Sequence, residues 1–159
     1  MMISDRFLVA VKRFLEDRNG DLPEVRLRDW GEEFPAMCIV LDVEDEPVED
    51  EEIFGQFEIA ASAALRCQSS VDDAERRDMM AALEEVLNGE ADGSGREEFD
   101  LVHWMRSAED RGIPGEELGV FDLMVGGGSW EVTDEEVTGV IEFTALCVSA
   151  DLSDASFGI

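Results

Sequence analysis

The chain predicts an α+β fold, a mostly antiparallel sheet with two α-helices packed on one face. Three observations lead there. Two segments repeat their apolar residues at helical spacing, while several others alternate every second residue. One alternating segment, Phe57–Arg66, passes through a short polar turn straight into the helical pattern Asp72–Leu87. The order along the chain is helix, two or three strands, helix, then two or three strands, without the regular βαβ repetition of a parallel sheet.

The first helix covers residues 2–18. Ile3, Phe7, Val11, Phe14 and Leu15 share one face, with Arg6, Lys12, Arg13 and Asp17 off it. Asn19-Gly20 is a C-cap signal. Beyond Pro23, Val25 and Leu27 alternate with Glu24, Arg26 and Arg28 in a short extended piece. Pro35 opens the next strand, where Met37, Ile39, Leu41 and Val43 face one way and Ala36, Cys38, Val40 and Asp42 the other. Both sets are largely apolar, so this strand is expected inside the sheet. It runs into Glu44–Glu52, seven carboxylates in nine residues, which repel one another and stay solvated as a loop.

In the strand 57–66, Phe57, Ile59, Ala61, Ala63 and Leu65 occupy one face. The other face, Glu58, Ala60, Ser62, Ala64 and Arg66, is small in its middle; it suits either light solvent exposure or the close approach of a neighbouring subunit. The helix 72–87 takes Ser70 as its cap, with Asp73 three residues on, and buries Met79, Met80, Leu83, Val86 and Leu87. Asn88-Gly89 ends it, and 89–97 reads as a flexible connector. Phe99–Arg106 reads as a turn leading into a strand, broken by Gly112-Ile-Pro-Gly115. Leu118–Val125 is a strand with Val120 and Met124 opposite Phe121, Leu123 and Val125; Gly126-Gly127-Gly128 is read as a hairpin turn. Trp130–Thr133 and Val137–Ser149 are extended. Residues 1–150 form one domain and 151–159 a loose tail.

Charge narrows the function classes. Forty acidic residues against 12 basic give a net charge of −28, and Lys12 is the only lysine. Such a chain repels nucleic acid and anionic membranes. The acidity fits a solvated surface, adaptation to high salt, or a surface that DNA must pass without sticking; composition does not choose. No run approaches the roughly 20 apolar residues that span a bilayer. The N-terminus has no signal-peptide pattern, so the protein is expected to stay in the compartment where it is made. Cys38, Cys67 and Cys147 are too scattered for a disulfide framework or a zinc site and read as buried thiols.

No catalytic kit stands out. Asp72-Asp73, Glu84-Glu85 and Glu97-Glu98 are explained by helix ends and solvated faces. The 44–52 run lacks the glycine and ligand spacing of a calcium loop. The glycine triplet lacks the lysine and following helix of a phosphate loop. His103, the only histidine, has no nucleophile or metal set beside it, and Trp30, Trp104 and Trp130 are too far apart in sequence to suggest a base-stacking platform. The chain reads as a non-enzyme with no cofactor and no metal.

The succession of elements resembles the tail terminator (tail completion) proteins of long-tailed bacteriophages over roughly residues 2–150. The resemblance lies in the helix Phe7–Phe14, the strand Phe34–Leu41, the strand Phe57–Leu65 running into helix Asp72–Leu87, and the long strands Leu118–Val125 and Val137–Val148. It implies a structural virion protein: a homohexameric ring that caps the tail tube, stops its polymerisation and joins a head-completion or neck protein. DNA crosses the opening without specific binding. It further implies assembly in the host cytoplasm and residence at the virion's tail–neck region. Exposed-loop logic places the partner contacts at Glu44, Asp45, Glu46, Glu49 and Asp50, and at Gly126, Gly127, Gly128 and Trp130. The competing expectation is a soluble acidic binding module of a salt-adapted cytoplasm.

Overall fold

The structure, a computed structural model, describes residues 3–17, 22–44, 56–88 and 118–149. Its elements in chain order are α1 (Ile3–Asp17), β1 (Val25–Leu27), β2 (Met37–Val43), β3 (Gln56–Gln68), α2 (Asp73–Asn88), β4 (Leu118–Val132) and β5 (Glu136–Ser149). The strands form one five-stranded sheet in the order β1-β2-β3-β5-β4. Every pairing is antiparallel except β1 with β2, which is parallel.

Side-chain alternation decides which face carries the core. Ile39, Leu41 and Val43 of β2, Ile59, Ala61, Ala63, Leu65 and Cys67 of β3, and Ile141, Phe143 and Ala145 of β5 point to a common side. Both helices cover that side. α1 brings Phe7, Leu8, Val11, Phe14 and Leu15; α2 brings Met80, Leu83, Val86 and Leu87. Phe7 meets Phe143 with ring centroids 6.0 Å apart and planes tilted by 49°. Burying one such aromatic is worth about 1.5–3 kcal/mol. The predicted architecture, two helices on one face of a mostly antiparallel sheet, is the observed one.

Three local features differ from expectation. The parallel pair needs a return path, and residues 28–36 provide it by crossing the sheet on the side away from the helices. Arg28 begins that crossing in the left-handed region, at φ 54°. α2 starts at Asp73, one residue after the expected start, and Ser70 is not its cap: Val71 N donates to Gln68 O to close a turn, and Arg76 N donates to Asp72 O as the first helical bond. Asp72 therefore takes the N-cap position, with Glu75 three residues on, because burial of Val71 draws Ser70 back into the turn. Finally, Gly126–Gly128 is not a hairpin turn. β4 runs through the triplet, and the chain reverses at Thr133–Glu135, where Thr133 N donates to Glu136 O. The turn and strand read at Phe99–Arg106, with His103 and Trp104, lie outside the described residues, as do the connector 89–97 and the tail 151–159.

Candidate assembly surface

The glycine triplet forms a bulge in β4, and its last member faces α2. Val125 pairs with Phe143 and Gly128 with Ile141, so three steps on β4 oppose two on β5: a bulge at Gly126-Gly127. A second register break lies between Val120 and Asp122, which interrupts the alternation expected for 118–125. Beyond the bulge, α2 presses close to the strand pair. A Cβ on Gly128 would sit 2.8 Å from both Met80 Cε and Glu84 Oε1. One on Gly139 would sit 2.9 Å from Met80 Sδ and 3.0 Å from Trp130 Cζ3. At Gly139 the missing side chain leaves room for Met80 and the Trp130 ring, whereas the atoms close to Gly128 are the ends of flexible side chains.

At the start of α2 the helix ends before the hairpin does. Trp130, paired with Gly139, and Val132, paired with Val137, point to the helix side beyond the last covering turn. They stay 40 % and 74 % exposed. With Val137 they floor a groove of about 300 Å³ walled by Asp73, Arg76 and Arg77.

The face opposite α1 and α2 divides into two halves. Over one half, residues 28–36 fold down onto Arg66, which is buried. Its Nε and Nη2 donate to the two carboxylate oxygens of Glu136 at 3.0 and 2.9 Å, and Nη1 donates to Gly31 O at 2.8 Å. The guanidinium carbon lies 4.1 Å from the Phe34 ring centroid and 5.6 Å from that of Trp30. Gln68 Nε2 donates to Phe34 O, and Trp30 Nε1 to Asp42 Oδ2. The hydrogen bond to Arg66 holds the Glu136 carboxyl below its ordinary range, and the same bond raises Arg66. This clamp also buries Cys38 and Val40. Cys38 faces the clamp and Cys67 the helices, so although their strands are adjacent they point to opposite sides. Burial pushes the Cys38 thiol up, and the Cys67 thiol up to about 11.

The other half of that face has no such cover among the described residues. A hollow of about 250 Å³ is lined there by Glu44, Ala60, Ser62, Val140, Glu142 and Thr144. Ala60, Glu58 and Glu142 are exposed, as is Met124 of β4 at 61 %.

The anticipated contact residues do not converge. Glu44 is exposed at the end of β2, beside the bare half-face; Gly126, Gly127 and Gly128 lie in the exposed edge strand; Trp130 belongs to the groove on the helix side. Asp45, Glu46, Glu49 and Asp50 lie outside the described residues. Sequence reading missed the Arg66–Glu136 clamp, whose partners stand 70 residues apart. The available signal was a lone arginine on an otherwise small strand face. No protein-family model matches the chain, and no curated protein shows significant similarity to it.

Proposed function

We propose that the chain is a non-enzymatic, ring-forming virion component of the tail terminator type. Copies close a ring that caps a finished tail tube, halts its growth and meets a neck protein, with DNA passing through the opening. One observation carries the reading. The fold packs α1 and α2 on one face and leaves large apolar side chains exposed on the β4–β5 pair, Trp130 and Val132 beside the start of α2 and Met124 on the opposite face. Trp130, Val132 and Met124 there are of the kind that contact surfaces use. Among the described residues, β4 also leaves one long edge without a neighbouring strand in the sheet.

The acidity fits the same assembly. Glu58 and Glu142 stand exposed on the face opposite α1 and α2, and carboxylates turned toward the opening would repel passing phosphates. No helix among the described residues is long and apolar enough to cross a membrane. The test is reconstitution. Tail tube protein is polymerised with and without the chain and imaged by electron microscopy. The expected result is tubes of limited length bearing a ring at one end. Tubes that lengthen unchecked, with the chain left in solution, refute the proposal.

A further inference from the structure

We propose that the groove between the start of α2 and the tip of the β4–β5 hairpin receives residues 45–54 of a second copy, joining copies head to tail. The inference rests on the ring-forming reading and names the contact it would use.

The groove combines an apolar floor with a wall whose lining carries two arginines and one aspartate. Trp130, Val132 and Val137 form the floor. Arg76 Nη2 and Arg77 Nε lie 3.3 and 3.1 Å from the two oxygens of one carboxylate, Asp73. Two guanidiniums thus share a single counter-charge within the groove. The side chain of Arg77 is 75 % exposed, so an incoming carboxylate can reach it. The fitting occupant is an acidic segment that ends in bulky apolar residues. Residues 45–54, Asp-Glu-Pro-Val-Glu-Asp-Glu-Glu-Ile-Phe, have that composition: a carboxylate run closed by Ile53 and Phe54.

The segment cannot serve its own groove. Its flanks lie toward one end of the sheet: Gln56 pairs with Val148, and Glu44 follows Val43, which pairs with Ala61. The groove lies at the other end, where Cys67 pairs with Val137. From Gln56 to Cys67 the strand covers about 36 Å at ~3.3 Å per residue. A loop tethered at both ends and using residues 45–55 extends at most about 21 Å outward. The contact is therefore between copies. Donor and acceptor sit at opposite ends of one subunit, so it is heterologous: it closes into a ring if the rotation permits and otherwise propagates.

Two variants of the full chain test this. Arg77→Glu with Val132→Asp spoils the groove and keeps the segment; Ile53→Ser with Phe54→Ser does the converse. Light scattering and sedimentation are expected to show each variant unable to form the wild-type assembly alone, and an equal mixture stopping at a heterodimer through its one intact contact. A labelled peptide of residues 44–55 is expected to bind the segment variant saturably and the groove variant about tenfold more weakly. The substituted groove residues are exposed, and an unchanged circular dichroism spectrum shows that the variant folds. Either variant assembling normally, or a peptide that binds both variants alike or neither, overturns the contact. If the variants still cap tail tubes, the ring reading stands and this contact fails; if the wild type caps none, the ring reading fails on its own account.

Discussion

Replacing Glu136 by Gln should unlock the clamp. Arg66 has a side chain only 5 % exposed, and Glu136 accepts from it through both oxygens. Removing one partner of a buried pair costs about 3–5 kcal/mol, mostly because the remaining charge stays desolvated. Glu136 keeps 26 % side-chain exposure, so water reaches the vacated end. A loss of about 2–3 kcal/mol is expected. For a chain of this size that lowers Tm by about 4–12 °C. The assay is urea and thermal unfolding followed by far-UV circular dichroism, at fixed ionic strength.

The pH dependence has a definite sign. The native carboxyl is held low by Arg66, so its contribution is complete above the unfolded-state value of about 4.3 and is lost as pH falls through the lower native value. The stability gap between wild type and Glu136→Gln should be full at neutral pH and narrow below about pH 4.3. The gap is the quantity to follow, because protonating the other carboxylates relieves repulsion in both proteins. Adding Arg66→Met to Glu136→Gln removes the stranded charge, so the double variant should fall short of the summed losses by about 1 kcal/mol or more. A Glu136→Gln loss under about 0.5 kcal/mol, or strict additivity in the double variant, would refute the clamp's energetics.

Three further outcomes are expected. Gly139→Val should cost about 1–3 kcal/mol by driving a side chain into Met80 and the Trp130 ring, with Met80→Ala recovering part of the loss; Gly127→Ala, with nothing within 4 Å, should stay within about 0.5 kcal/mol, and equal effects on unfolding would contradict the packing described. Leu83→Ala, at a fully buried position of α2, should cost about 2–5 kcal/mol, readable from the same urea curves. In a Cys147→Ser background, Cys38 and Cys67 should resist thiol reagents at neutral pH until the chain unfolds, and prompt labelling of either would contradict their burial.

What could be read from residue order was whatever depends on local periodicity. The stripe Phe7, Val11, Phe14 and Leu15, the alternation through Ile39–Val43 and Ile59–Leu65, and the helix carrying Leu83 and Leu87 each face the core as expected. Burial acts on spacings of two and of three to four residues, and these are written in the chain. The glycine triplet was misread for a related reason. Three glycines signal a turn on local grounds, and only the pairing of β4 with β5 through the triplet shows that they form a bulge and not a reversal. The parallel β1–β2 pair, the crossing of residues 28–36, and the meeting of Arg66 with Glu136 were likewise decided by the tertiary structure. So was the groove that joins Arg77 to Val132. Each depends on residues far apart in the chain, and nothing in the spacing of charges or small residues records which distant partner will be placed opposite.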